Sequence, residues 1–526
     1  MAKKKKKAGK KDKRDTPRKG KPSSSPKAKA KKTADRKPEA SLWAEKIEPL
    51  ISRVPWLWIT GIAAASLIII SRIPTIKLII IDDAFITYTY SANLIDHGQF
   101  VFNPGERVLG TTTPLFGFLL GIFYFAGADL FRATPIINLT LDLFIAVFAY
   151  LVIRKLFPNR SLIAFAVFVP LYFLEPVAIW SSSGGMETSL YVLLTLGIVL
   201  SALYDRWTAA GVIAGLLFLT RPDGVIIGSV IFLYYIISKR SFPVRGLIAF
   251  SAVVVPWLIF ATIYYGNPIP TGVWAKLILG KDYATPFGKK FKFVYFNRKS
   301  ILLFIPVLIG LFGLGLAVYN SLKEKRWELA IFPLFFLLFN CAFMLTHTAQ
   351  GWFWYYVPLY IPLYMFAGYS CAVLTKRFKF SVVLVSVLMA LVLWSLYHTH
   401  LPKEYKKLEI KSKSWDVGLR QASIWINENT PPDAVVMCKT VGIPGYYARR
   451  KIIDPLCIIS PELMKDYPGK ATAEIKTLRK LMPEYYISWY KYDDKYEDLR
   501  KNYLLVKQFK MPFGLVTDTI WLYQKR

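Results

Sequence analysis

Two carboxylates stand side by side, Asp82 and Asp83, directly after the first apolar run of the chain, in the stretch IDDAFITYTYSANLIDHGQFVFNPGERVLGTTT at residues 81–113. A carboxylate in a cavity can take the proton of an attacking hydroxyl, and clustered acids can hold a hard cation through their oxygens. An acidic pair at a membrane boundary can equally be a solvated helix end, and residue types alone leave both open. The same loop carries Tyr88, Glu106 and Arg107. Glu187 stands in SGGMETSLY, and Arg221 and Asp223 in LTRPDG; Lys276 closes NPIPTGVWAK, and His347 opens HTAQGWFWYYVP. Arginine or lysine at such places could meet negative charge. Each has a structural alternative. Glu187 suits the positive end of the helix that follows it, and Asp223 can cap the helix starting at Gly224. Lys276 and the aromatics near His347 fit interfacial snorkelling and an aromatic belt. The histidines His97, His347, His398 and His400 have no zinc spacing.

To bring these residues together, the chain must cross a membrane many times. It is 54% hydrophobic and 16% aromatic over 526 residues, too apolar for a soluble protein of ordinary composition. Apolar runs able, or nearly able, to span about 30 Å of hydrocarbon occur near 56–80, 133–153, 161–179, 186–204, 207–220, 224–238, 246–265, 301–319, 328–346, 356–375 and 380–398. These predict about eleven spans in a mainly α polytopic bundle. The basic clusters Arg154/Lys155/Arg160, Lys239/Arg240/Arg245, Lys323/Lys325/Arg326 and Lys376/Arg377/Lys379 all fall on the cytoplasmic side if the short run 114–127 is re-entrant or interfacial. The loops 81–132, 180–186, 221–223, 266–300 and 347–355, with everything after His400, then share the external face. The most unusual polar residues thereby gather on one side.

Nearly half of the formal charge of +34 lies at one end: residues 1–38 hold 18 Lys/Arg against 3 Asp. Residues 1–45 are expected to be a disordered basic cytoplasmic tail held near anionic lipid, with nucleic acid as the competing polyanion. The tail has no short apolar core with a small-residue cleavage site, so the first span is expected to remain as an anchor. Residues 46–400 form the membrane module. Residues 401–526 change character. WDVGLRQASIWINENTPPDA reads as a helix ended by prolines, and AVVMCK, KIIDP, EYYISW, YLLVKQF and GLVTDTIWLYQ read as strands of a small extracytoplasmic α/β domain. Within it Cys438 and Cys457 could pair if the domain is outside, subject to geometry.

The string IDDAFITYTYSANLIDHGQFVFNPGERVLGTTTPLF resembles the first external loop of the GT-C class of membrane glycosyltransferases, especially arabinofuranosyltransferase-like enzymes and glycosyltransferase family 39: an acidic pair, a Tyr-rich helix, then N-x-G-E-R and G-x-T-x-P. SGGMETSLY and LTRPDG follow the same pattern, and with WINENTPPDA, GIPGYYARRKIIDP and ISPE the resemblance runs from about Trp56 onward. Thr89 departs from it, standing where relatives often carry Arg. The resemblance implies transfer of a sugar, arabinofuranose in the nearest group, from a polyprenyl-phosphate carrier to an extracytoplasmic glycan, lipid or protein acceptor at the plasma membrane, with inversion. It implies Asp82 as base with Asp83 close behind, and Arg221, then Arg107 and Lys276, as cations for the phosphate. Glu187, Glu106, His347 and Tyr88 are expected in the substrate site. A divalent cation (Mg, Mn or Ca) on Asp82, Asp83 and Glu187 is compatible with it. A transporter or lipid flippase would instead place ionisable groups mid-membrane, where Asp142 is one of few candidates. A non-catalytic scaffold would leave the acidic loop without a purpose.

Overall fold

The computed structural model describes residues 55–79, 81–159, 161–275, 286–296, 301–344, 352–377, 381–466, 470–491, 497–511 and 519–526. The basic tail, Lys276 and His347 lie outside these described residues.

The membrane module is built from apolar helices, several of them started by a proline in the first turn and one by a capping aspartate. Helix α1 (Trp56–Arg72) passes into a 3-10 turn, Ile73–Thr75. Helices α2 (Asp83–Asp96) and α3 (Pro114–Phe125) pack on each other. Pro114 pre-forms the first turn of α3, and its 12 residues reach only about 18 Å, so it does not cross. Helix α4 (Leu130–Leu156) starts where the Phe131 N–H donates to Asp129 at 3.1 Å. Helices α5 (Ser161–Phe173) and α6 (Pro176–Ser183) meet at a 65° bend around Pro176. Then follow α7 (Thr188–Leu203), α8 (Trp207–Thr220), α9 (Val225–Lys239), α10 (Val244–Tyr265) and the short α11 (Phe287–Phe291). Helices α12 (Ile305–Glu324), α13 (Ile331–Met344), α14 (Val357–Arg377) and α15 (Ser381–Ser395) complete the module.

Among the described residues eight helices are long and apolar enough to cross, nine if the bent pair α5–α6 counts as one span. The chain is an integral membrane protein of mainly helical build. Each of the eleven expected runs holds helix among its described residues, but α7 and α8 are shorter apolar helices. Helix α14 is the axis of the module: most of its apolar window is buried among the others rather than facing lipid.

A boundary was expected near residue 400, and the backbone runs straight through it. Residues Val383–Asn429 form one helical stretch of 47 residues, about 70 Å long. It comprises α15, a π-turn at Leu396–His400, α16 (Leu401–Trp415), a second π-turn at Asp416–Arg420 and α17 (Gln421–Asn429). Pro402 has no N–H to give and its ring crowds the preceding turn, and the wider π-turn just before it absorbs that conflict without ending the helix.

The C-terminal part is a five-stranded mixed sheet in the order β2-β1-β3-β5-β4, with β1 (Val435–Cys438), β2 (Lys451–Ile453), β3 (Tyr485–Ser488), β4 (Tyr503–Lys510) and β5 (Thr519–Lys525). These fall on the five expected strand segments. β1 is parallel to β2 and β3, with Val436 opposite Ile452 and Tyr485; β5 is antiparallel to β3 and β4, with Leu522 opposite Ile487. Alternation puts Val436, Ile487 and Leu522 on the face that joins the main core, and Met437, Tyr486 and Tyr523 on the other. Leu478 of α19 (Lys470–Leu481) and Leu499 of α20 (Glu497–Asn502) cover that second face. Helix α18 (Gly442–Ala448) lies between β1 and β2 and packs on α2. Cys438 and Cys457 are buried, unpaired thiols.

Candidate active site

The two adjacent aspartates have different surroundings. Asp82 is the N-cap of α2 and is turned toward the C-terminal domain: its Oδ2 accepts the Gly442 N–H at 2.9 Å and its Oδ1 the Ile443 N–H at 2.7 Å. Burial pushes its carboxyl up to about 7; the Ile443 amide pulls it back, Asp83 raises it further, and the Gly442 amide and Lys411 offset part of the rise. The approach is tight enough that a Cβ at Gly442 would fall 2.0 Å from the Asp82 carbonyl oxygen. Asp83, the first residue of α2, lines a cavity instead.

That cavity is walled by six separate parts of the chain. Asp83, Ile86 and Thr87 come from α2, Gly110–Thr113 from the loop before α3, and Met186 and Glu187 from the turn before α7. Gly272 follows α10, Trp354 and Tyr355 precede α14, and Ile458 follows β2. These are the segments that the positive-inside reading placed on one face.

The threonine wall is held from both sides. The Gly110 N–H donates to the Tyr90 hydroxyl at 2.6 Å, and that hydroxyl donates to the Val108 carbonyl at 2.7 Å. Thr271 donates its hydroxyl to the Leu109 carbonyl at 3.0 Å and to the Ile458 carbonyl at 2.6 Å, joining three segments at one point. Within the wall the Thr113 hydroxyl lies 3.2 Å from that of Thr87 and 3.1 Å from that of Thr111. Hydroxyls both donate and accept, as sugar hydroxyls do.

Glu187 belongs to a second cluster. Arg221, 2% exposed, forks onto Asp223, lies 3.9 Å from Glu187, and is stacked between the rings of Tyr191 and Tyr355 at 4.8 and 4.5 Å. Its remaining arm reaches the Trp354 carbonyl at 3.4 Å. Arg221 therefore braces the cavity wall behind Glu187 and the Trp354–Tyr355 edge, rather than projecting into open space. The capping role expected of Asp223 gives way to this ion pair.

The turn bearing Glu187 is anchored from below. Asp142 of α4 accepts from Arg72 Nε at 3.0 Å, from the Ser182 hydroxyl at 2.8 Å and, on its other oxygen, from the Ser189 hydroxyl at 2.8 Å. Asn138, one turn earlier, donates to the carbonyls of Ser182 and Met186. Gly185 has φ +78° and its Cα abuts Tyr88, so that a Cβ would fall 1.9 Å from the Tyr88 hydroxyl. Tyr88 thus shapes the turn, and it also packs edge-on against Phe85 and Tyr446. Asp142, a candidate mid-membrane carrier residue on the transporter reading, is neutralised and saturated by these partners.

Glu106 and Arg107 sit away from the cavity. Glu106 pairs with Lys451 at 2.5 Å and accepts from Asn103 at 2.8 Å, tying the loop to β2, while Arg107 lies 4.8 Å from the Tyr264 ring centre. Thr89 donates to the Phe85 carbonyl within its own helix. Among the described residues no three His, Cys, Asp or Glu side chains gather as a metal-holding group; Asp83 and Glu187 line the cavity, but Asp82 is turned to its amides.

Sequence reasoning missed Lys411, Arg72 and the Gly442–Ile443 amides. Lys411 acts electrostatically on both Asp82 and Asp83. The amides carry no side-chain signal, although the glycine in GIPGYY hints at a close approach.

Comparison with solved structures gives the same overall architecture. ArnT from Cupriavidus metallidurans bound to undecaprenyl phosphate matches with a TM-score of 0.60 at 11% identity, covering 89% of this chain and 97% of that one. The Archaeoglobus fulgidus oligosaccharyltransferase in complex with Zn and sulfate matches at 0.55 and 14% identity, over 82% and 67% of the two chains. The archaeal oligosaccharyltransferase AglB from the same organism, in complex with an inhibitory peptide and a dolichol-phosphate, gives 0.53 at 14% identity over 82% and 69%. Residues 405–523 match a family described as a domain of unknown function, DUF8728. None of the curated proteins matches the sequence. The cavity thus sits in a chain with the GT-C fold, the architecture of ArnT and the oligosaccharyltransferases.

Proposed function

We propose that this protein is a membrane glycosyltransferase that moves a sugar from a polyprenyl-phosphate carrier to a hydroxyl-bearing glycan, lipid or protein acceptor outside the cytoplasmic membrane. The observation that carries the reading is the convergence of Asp83, Glu187 and the Thr87/Thr111/Thr113 hydroxyls in one cavity, at the shared end of the membrane helices of a GT-C fold. In the reaction the acceptor oxygen bonds to the anomeric carbon as the bond from that carbon to the carrier phosphate oxygen breaks. The acceptor proton passes to a carboxylate, and the carrier leaves as polyprenyl phosphate. Asp83 suits the role of base better than Asp82, because Asp82 directs both oxygens at backbone amides while Asp83 faces the cavity. The aromatic edge of Trp354 and Tyr355 offers a stacking surface for a sugar ring, and the threonines offer partners for its hydroxyls. A divalent cation, if used, would take Asp83 and Glu187 and complete its shell with phosphate oxygens and water; it would neutralise charge on the departing phosphate. Lys276 is retained as a cation for that phosphate.

The test is release of free polyprenyl phosphate from a panel of polyprenyl-phosphoryl sugars, polyprenyl-phosphoryl arabinofuranose among them, by purified protein with cell-envelope glycan as acceptor. Turnover with one donor, lost in Asp83→Asn at unchanged melting temperature, is the expected result. No turnover with any donor, under conditions where the protein is folded and with divalent cations present, would overturn the reading.

A further inference from the structure

The acid pair at the cavity is adjacent to a cation that comes from the other end of the chain. Helix α16 runs alongside the segment that leads from α1 to Asp82: Tyr405 donates its hydroxyl to the Ser71 carbonyl at 2.8 Å, and the Ile79 N–H donates to the Ser412 hydroxyl at 2.8 Å. Those two bonds, about two turns apart on α16, fix its register. Lys411, next to Ser412, is thereby set beside the acids. Its ammonium rests 4.8 Å from the ring centre of Trp415, one turn on, and acts on both Asp82 and Asp83. The other well-placed cation, Arg221, is already committed to Asp223 and Glu187. Asp83 and Glu187 line the cavity, with Asp82 directly before Asp83 in the chain, and uncompensated negative charge there would repel an arriving anionic phosphate.

We propose that Lys411 is a positioning residue for Asp83: held in register by α16 and by Trp415, it orients the Asp83 carboxylate toward the cavity and offsets the negative charge of the acid pair so that a carrier phosphate can approach. This rests on the reading of Asp83 as base. It also gives residues 405–523, matched by a family described as a domain of unknown function, a definite part in the site: that region supplies Lys411 from one side, the Gly442 and Ile443 amides from another, and Ile458 in the cavity wall. The C-terminal region then completes the catalytic centre instead of decorating it.

The experiment compares Lys411→Met and Lys411→Arg with wild type for kcat and KM toward the polyprenyl-phosphoryl sugar that wild type turns over. It is run beside a double-mutant cycle of Lys411→Met with Asp83→Asn, read as melting temperature in detergent. Removing the charge is expected to lower kcat about tenfold and raise the donor KM. Arginine keeps the charge and the stack on Trp415 and is expected to recover most of both. A packing role alone would make the arginine variant no better than the methionine one. Either that result, or a methionine variant within about twofold of wild type, overturns the proposal. Absence of wild-type turnover would sink the transferase reading itself, and the cycle then decides separately: non-additive shifts in melting temperature support the Lys411–Asp83 relationship, and additive ones refute it.

Discussion

The Asp82 carboxylate accepts hydrogen bonds from two consecutive backbone amides, Gly442 and Ile443, across 360 residues of chain. One acidic side chain thus joins the first loop of the membrane module to the C-terminal domain. Because both oxygens are occupied by N–H donors, asparagine cannot replace it: one of its two positions is an NH2 group that would face another donor. Asp82→Asn and Gly442→Ala, the latter by collision with the Asp82 carbonyl, are expected to lower the melting temperature by several degrees. Asp83→Asn is expected to leave the melting temperature nearly unchanged while removing about two or more orders of magnitude of turnover. Parallel thermal and activity measurements on the three variants check the separation, and a stability loss confined to Asp83→Asn would refute it.

The Arg72–Asp142 pair is fully buried, and removing one partner leaves a charge without compensation. Asp142→Leu alone is expected to cost about 3–5 kcal/mol and to fold poorly, whereas the apolar double variant Arg72→Met/Asp142→Leu recovers much of that loss. Turnover should stay low even in the double variant, because the Ser182 and Ser189 hydroxyls lose the acceptor that holds the Glu187 turn. Yields and melting temperatures of the three variants, read with turnover, test both halves.

Much of the architecture was legible in the sequence, for identifiable reasons. The five strand segments announce themselves by alternation, since half of each faces the main core: Val436 against Met437, Ile487 against Tyr486. The gathering of polar loops on one face followed from where the arginines and lysines cluster, and the cavity does draw on those loops. What sequence could not do was separate Asp82 from Asp83. Neighbouring helix positions point about 100° apart, and what distinguishes these two is a pair of distant main-chain amides. Arg72 reads as an ordinary end-of-span cation until its buried partner on α4 is known. The change of character after His400 reads as a domain boundary, yet the helix continues through it across a π-turn. In each case the missing term was tertiary.

Arg221 is expected to resist conservative replacement. Its planar fork meets Asp223 through two nitrogens while its faces contact Tyr191 and Tyr355, and lysine can reproduce neither arrangement. Arg221→Lys should therefore cost turnover on the order of 10- to 100-fold, with the loss mainly in kcat because Glu187 and the Trp354–Tyr355 edge shift together. If the guanidinium instead held the carrier phosphate directly, the loss would fall mainly on the donor KM, and steady-state kinetics distinguishes the two.

Asp454 offers a test by pH at a distance from the acid pair. It is buried, accepts the amides of Leu456, Ile458 and Ile459, and so shapes the turn that carries Ile458 into the cavity wall. Burial pushes its carboxyl up from 3.8 to about 6, with the three amides pulling the other way. An acid whose folded value lies above its unfolded one binds more protons when folded, so its contribution to stability is greatest below about pH 4 and declines as pH rises through about 6. Asp454→Asn cannot titrate. The melting-temperature difference between wild type and this variant should therefore shrink from pH 4.5 to pH 7 in the direction that disfavours wild type, and then level off. A difference that grows with pH across that window would mean that the three amides outweigh burial and that the turn is held by an already ionised carboxylate.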